Sequence, residues 1–210
     1  MAGSYDFEEQ ERIAAIHHWW EDNAKFVYAA VAAFVLAVGG WRGWQYYSRV
    51  QAEDAAAMSA GLAKLRGDAK KTAELAQAVI DRHPRSFFAS EAALAAAQES
   101  FAAGDLAAAQ ARLEWVLNKG RDEHRGIARI RLAAVLLDLK KYPEALETLE
   151  GNKDEAFAAL AADLKGDVLF AQGRNDEARA AYKLALDKSD ARSPMRSFTE
   201  LKLGALGGAQ

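Results

Sequence analysis

Gly166-Asp-Val-Leu-Phe-Ala-Gln-Gly173-Arg-Asn-Asp-Glu-Ala178-Arg-Ala-Ala-Tyr182-Lys-Leu-Ala185 is the stretch of this 210-residue chain from which the fold follows. Small and apolar residues recur at helical spacing on both sides of Gly173-Arg174, so the segment reads as two helices joined by a tight turn. Gly166 and Ala178 leave room for the two helices to approach closely, and Tyr182 is large enough to fill the groove toward a further hairpin. A hairpin of this length cannot bury its apolar stripe alone, so the segment predicts neighbours of its own kind.

Those neighbours are present upstream. Leu132, Ala133, Leu136, Tyr142, Ala145 and Leu149 repeat the pattern in the same register, 33 residues earlier, around Lys140-Lys141. Ala97, Gly104, Ala109 and Leu113 form a weaker copy, and a first unit around Gly67-Asp68 is closed by His83-Pro84. The turn spacings of 37, 36 and 33 residues bracket the period of about 34 that marks the tetratricopeptide repeat. The alanine-rich tract at 92–97 suits close helix contact, and a short helix from about Arg196 to Leu203 is placed to cap the open end. The tail from Gly204 to Gln210 has nothing to order it.

Ahead of the repeats, Phe26 to Trp41 reads FVYAAVAAFVLAVGGW, sixteen residues without a charge. At helical rise this spans about 24 Å, short of a hydrocarbon core of about 30 Å. Lys25 and Arg42 close the gap by snorkelling, which extends the effective span to residues 24–44. Trp19 and Trp20 stand on one side, and Trp41, Trp44, Tyr46 and Tyr47 on the other, as membrane interfaces select. A core helix is not normally apolar on every face, and a signal peptide wants a basic start and a small-residue exit. Here the start is acidic and the exit bulky, so the span is expected to stay as an anchor. Ala29, Ala33, Ala37 and Gly40, with the Gly39–Gly43 pair, form a small-residue face on which another helix can approach. Ala and Gly are also common in membrane helices, so the spacing leaves both explanations open. Basic residues divide evenly, Arg12 and Lys25 before the run and Arg42 and Arg49 after it, and charge bias gives no orientation.

The expected fold is therefore all-α: a single N-terminal transmembrane helix followed by an α-solenoid of tetratricopeptide-like helical hairpins. The expected organisation is an acidic tail at 1–23, the membrane helix at 24–44, repeats at 45–203 and a disordered tail at 204–210.

Little in the chain suggests chemistry. Residues 1–23 carry six acids against Arg12, while residues 43–210 are near neutral, which offers no footprint for a phosphate backbone and sets nucleic acid aside. The absence of cysteine excludes disulfides and thiol catalysis. His17 and His18 abut Trp19, and neighbours on a helix point about 100° apart, a poor geometry for chelation. His83 in a helix-ending turn and His124 in the charged segment Arg121-Asp-Glu-His-Arg125 are expected at the solvated surface. No phosphate loop, metal motif or nucleophile elbow is present, so neither an enzyme nor a cofactor is expected.

The flank Phe7-Glu-Glu-Gln-Glu-Arg-Ile13 followed by Trp19-Trp-Glu-Asp-Asn23 resembles the YfgM family of proteobacterial membrane proteins. So do the exit Gly40-Trp-Arg-Gly-Trp-Gln-Tyr-Tyr47 and the stretch from Phe157 through Gly166-Asp167 to Gly173 and Glu177-Ala178-Arg179. The resemblance implies a single-pass inner-membrane protein with a cytoplasmic N-terminus and periplasmic repeats. It further implies association with the SecYEG translocon and with the membrane-anchored periplasmic chaperone PpiD. The rival expectation is a generic membrane-tethered repeat scaffold for an envelope assembly or regulatory complex. The anchor reading predicts that the protein stays in the membrane fraction after alkaline washing; release into the supernatant would turn the apolar run into a soluble core helix.

Overall fold

Helix-forming residues fill the stretches between turns, and the computed structural model, which describes residues 3–207, is helical throughout that range apart from short connections. Among the described residues there is no strand. The chain divides into two compact units, Met1–Gln51 and Ala52–Gln210. The first is continuous helix over its described length, the larger part of α1 (Gly3–Leu62).

The second unit is a stack of four hairpins and a closing helix. The end of α1 pairs with α2 (Ala69–Arg82), α3 (Phe87–Ala102) with α4 (Leu106–Lys119), α5 (Asp122–Asp138) with α6 (Tyr142–Glu150), and α7 (Ala158–Ala171) with α8 (Asn175–Lys188). The last helix, α9 (Pro194–Ala205), packs on α8. Each hairpin also meets the next, α2 against α3, α4 against α5 and α6 against α7, with α3 and α7 both touching α5.

The turns inside the hairpins fall at the four positions read from the sequence, and each reverses through a left-handed residue: Gly67 (φ 88°), Gly104 (φ 79°), Lys140 (φ 58°) and Gly173 (φ 75°). The last three share one hydrogen-bond pattern. The N–H of the left-handed residue donates to the carbonyl three back, and the next N–H to the carbonyl five back: Gly104 to Phe101 (2.9 Å) and Asp105 to Ser100 (2.9 Å). Lys140 and Lys141 reach Leu137 and Leu136 (2.9 and 2.8 Å), and Gly173 and Arg174 reach Phe170 and Leu169 (2.8 and 2.9 Å). This is the Schellman closure, which satisfies helix-terminal carbonyls while the chain turns back. Asp68 and Asp105 then start their helices by accepting the N–H of Lys71 and Ala108, both at 3.0 Å.

Alanine carries much of the core. Ala89, Ala92, Ala93, Ala96, Ala97, Ala109, Ala128, Ala133, Ala145, Ala178 and Ala185 are 0–2% exposed, interleaved with Val79, Leu113, Val116, Val135 and Val168. One cluster runs from Leu62 to Val168, and a smaller one gathers Leu169, Ala178, Ala181, Tyr182 and Leu203.

Two boundaries differ from the sequence reading. The compact repeat unit begins at Ala52 rather than residue 45, because its first helix is the end of α1, where Ala55 and Leu62 become buried. Order persists beyond Leu203: α9 runs to Ala205, Leu206 packs on the smaller cluster, and Arg179 donates to the Leu206 carbonyl at 2.7 Å. Residues 208–210 of the expected tail lie outside the described residues. The Tyr182 ring lies on Gly166 of its own hairpin and also against α9, where it shares a cluster with Leu203.

Lys140 holds a left-handed backbone with a side chain, a conformation that costs an L-residue roughly 1–2 kcal/mol. Lys140→Gly is expected to stabilise the domain by about 0.5–1 kcal/mol after the greater entropy of an unfolded glycine is offset. Gly104→Ala, which installs the same strain, is expected to lower stability by about 1–2 kcal/mol. Thermal melts of both variants check this; a Lys140→Gly variant no more stable than the parent would show the turn to be unstrained.

Candidate functional site

In the N-terminal unit the large apolar side chains face outward on every side. Phe34 is 69% exposed and Leu36 75%, and none of the most apolar window is buried. The helix is long and apolar enough to cross a membrane. Trp41, Trp44, Tyr46 and Tyr47 lie exposed at one end of the run, while at the other Trp20 stacks edge-on against Tyr28 at 5.7 Å. Ala29, Ala33, Ala37 and Gly40 fall on one face by helical spacing, with Gly39 and Gly43 beside them. Around the three glycines there is open space: a Cβ placed on any of them meets nothing within 4 Å.

The repeat unit places the signature residues in its interior. Leu132, Ala133, Ala145, Leu149, Ala178, Tyr182 and Ala185 are all at most 5% exposed, and Gly166 is buried with them. Gly173 alone of that set serves a turn. At Gly166 the backbone of α7 comes up against the Tyr182 ring of α8. A Cβ there would fall 2.5 Å from Tyr182 Cδ1 and 2.8 Å from Cζ, inside the ring's van der Waals envelope. Gly126 of α5 holds the same relation to Phe157, whose Cε2 would stand 2.6 Å from a Cβ.

Two histidines expected at the surface are instead buried. His83 is 8% exposed and His124 5%. His83 Nε2 lies 2.8 Å from Asp54 Oδ2, and His124 Nε2 lies 2.7 Å from Glu91 Oε1 with the Phe87 ring 4.6 Å away. Glu91 lies on α3, in the hairpin before that of His124, whereas Asp54 lies on α1 and pairs across the first hairpin with His83, which caps α2. An ionised carboxylate only accepts, so each Nε2 carries the proton it donates. His17 and His18 are exposed. Among the described residues no three His, Asp or Glu side chains converge as a metal site would require.

A polar network that sequence reasoning did not find fastens α9. Lys202 Nζ lies 2.7 Å from Asp163 Oδ2 and 2.8 Å from Asp167 Oδ2. Thr199 Oγ1 donates to Asp163 at 2.7 Å, and the Tyr182 hydroxyl donates to Asp167 at 2.8 Å. Burial and then the bond to Asp167 push the Tyr182 phenol well above its ordinary value, so it remains a donor. Burial acts against the Lys202 ammonium, but its bonds to Asp163 and Asp167 outweigh that and hold its pKa raised. The only sequence signal was the 35- and 39-residue separations, which no helix-local spacing rule reaches. Every member has a partner, so the network holds helices together and offers no free reactive group.

An outward-facing apolar helix and a stack of hairpins with small residues at the crossings define a membrane-anchored tetratricopeptide-type protein. The family model for the tetratricopeptide repeat-like domain matches residues 17–208. A Haemophilus influenzae protein named ancillary SecYEG translocon subunit is 32% identical over 187 residues, covering 87% of this chain and 90% of its own. A Neisseria gonorrhoeae protein of the same name is 32% identical over 204 residues, 95% of this chain and 97% of its own. The Escherichia coli protein so named is 28% identical over 204 residues, 94% and 96% respectively. The chain belongs to this family, the YfgM-type ancillary SecYEG translocon subunits with a tetratricopeptide repeat-like domain. No solved structure matches it significantly.

Gly166→Val is expected to lower stability by about 1–3 kcal/mol, because a branched side chain must displace the Tyr182 ring and with it the bond to Asp167. Gly204→Val, where a Cβ meets nothing within 4 Å, serves as the control and should cost under about 0.5 kcal/mol. Equal denaturation midpoints for the two variants would show that the α7–α8 contact yields easily.

Proposed function

We propose that this chain is a non-enzymatic ancillary subunit of the Sec translocon, held in the bacterial inner membrane by residues 24–44, that binds SecYEG and a PpiD-like periplasmic chaperone. Its task in this reading is to assist the handling of proteins as they emerge from the channel. The observation that carries it is full-length collinearity: relatives bearing the translocon-subunit name align along 87–95% of this chain and 90–97% of their own. The anchor and the repeats are thus related together, and not the repeat pattern alone. The chaperone partner is supported by the family resemblance of the acidic flank, the aromatic exit and the last repeat.

In the proposed orientation, residues 1–23 lie in the cytoplasm and the repeats in the periplasm. The support for this orientation is the family resemblance, since a long domain is translocated regardless of its charge. Recognition in the membrane is assigned to the face of Ala29, Ala33, Ala37 and Gly40 with Gly39 and Gly43. Lipid gives helices little hydrophobic reason to associate, so close van der Waals approach across small residues must supply the attraction.

Affinity recovery from mild detergent tests the association, with SecYEG and the chaperone as separate readouts. Replacing Ala33 and Ala37 by leucine keeps the span apolar and should weaken recovery of SecYEG, whereas leucine at Val31 and Val35 should change it little. Protease added to spheroplasts should digest the chain beyond Tyr47 and spare residues 1–23. Protected repeats would reverse the orientation, and a parent that recovers no SecYEG would remove the association.

A further inference from the structure

The outer face of α9 breaks the pattern of the helix before it. Pro194, Ser197, Phe198, Leu201, Gly204 and Ala205 are all exposed, and at about 100° per residue they fall within one arc of about 120°. None of the six carries a charge, and Phe198 and Leu201 are 68% and 72% exposed. By contrast, α8 turns Asp176, Glu177, Lys183, Asp187 and Lys188 to the surface. A repeat stack needs a polar outer face on its last element to stay soluble, and here that face is apolar. The helix is fixed in this orientation. Lys202 is held by Asp163 and Asp167, Arg196 donates to the Leu186 carbonyl at 2.8 Å, and Arg179 holds the Leu206 carbonyl.

We propose that this face is covered by the same face of a second copy of the chain, packed antiparallel about a two-fold axis at Leu201. The inference goes beyond the translocon association and does not depend on it. Charge argues against a foreign partner of either sign. The two cations bordering the stripe already sit on carboxylates, Arg196 on Glu200 at 3.1 Å and Lys202 on Asp163 and Asp167. An acidic partner finds no free cation there, and the stripe itself offers a basic partner no acid. Shape argues for self-association. On the antiparallel two-fold the two Leu201 side chains meet, and each Phe198 ring lies over Gly204 and Ala205 of the other copy. Gly204 leaves that seat open, since a Cβ there meets nothing within 4 Å. The stripe has six residues, against roughly 20–30 a side in a standard stable interface, so the dimer is transient in solution. Anchoring by α1 confines the copies to one membrane and raises their effective concentration, which is where the dimer forms.

The chain has no cysteine, so an introduced thiol reports one position alone. The purified full chain in phosphatidylcholine vesicles is oxidised with copper–phenanthroline and read for disulfide-linked dimer on non-reducing gels. Leu201→Cys keeps a small apolar side chain at the axis and should crosslink roughly tenfold more than Lys183→Cys on the exposed side of α8. Ser197→Cys should stay near the Lys183→Cys level, because its two copies lie about 12 Å apart along the antiparallel pair, too far for a disulfide. Adding Phe198→Ser or Gly204→Leu to Leu201→Cys should cut crosslinking roughly tenfold; both positions are exposed, so folding is retained. Crosslinking at Leu201 no greater than at Lys183 overturns the proposal. So does Leu201 crosslinking that survives Phe198→Ser and Gly204→Leu, since contact between anchors would then account for the dimer. Equal crosslinking at Ser197 and Leu201 removes the antiparallel register and the proposal with it.

Discussion

Close approach between helices whose facing surfaces are largely alanine and glycine governs the repeat domain. An alanine methyl buries little area, about 0.8 kcal/mol per carbon on the transfer scale, so such a core gains mainly by bringing backbones near enough for many contacts at once. The fully buried alanines of α3 show the solution at its densest, with Ala89, Ala92, Ala93 and Ala96 all without exposed surface. Gly166 beside the Tyr182 ring and Gly126 beside the Phe157 ring carry it further, each leaving to a ring the space its own side chain would take. Distance is thus the sensitive variable, and bulk at a crossing is the change the fold tolerates least.

Polar chemistry has a matching place in the design. Polar pairs tie helices of the stack together: Asp54 of α1 with the buried His83 at the end of α2, Glu91 of α3 with the buried His124 of α5, and Asp163 of α7 with Thr199 and Lys202 of α9. The junction between the third and fourth hairpins instead uses the apolar contact of Phe157 on Gly126. A buried polar group is costly unless paired, so a partner on another helix makes correct packing a condition for satisfying it. The membrane unit follows the opposite rule, with its large apolar side chains turned outward because lipid is the solvent they meet.

What the sequence revealed was whatever depends on local spacing. The four turns, the hairpin pairing, the apolar span and the closing helix were all legible, since each rests on residues within one or two helical turns of one another. Lys140-Lys141 was readable as a turn even without glycine, because the surrounding register demanded a reversal there. The buried histidines were not legible, and neither was the Lys202 network. Their partners lie 29 to 39 residues away, and the burial of His124 beside the exposed Arg121, Asp122 and Glu123 depends on a neighbour the local pattern does not name. The start of the compact repeat unit at Ala52 was not legible for a related reason: one uninterrupted helix, α1, carries both a membrane-type pattern and a repeat-type pattern, with no turn to separate them.

The helix α6 has nine residues, the fewest of any helix in the stack, and its Leu146 packs on both hydrophobic clusters. Interactions in such a stack pass only between neighbours, so its cooperativity is set by its thinnest link. The link there is thicker than α6 alone, because α7 also touches α5, Phe157 lies on Gly126 and Val168 of α7 belongs to the larger core. A pull on the C-terminal end therefore loads those contacts together with α6 and is not relieved by parting at α6 alone.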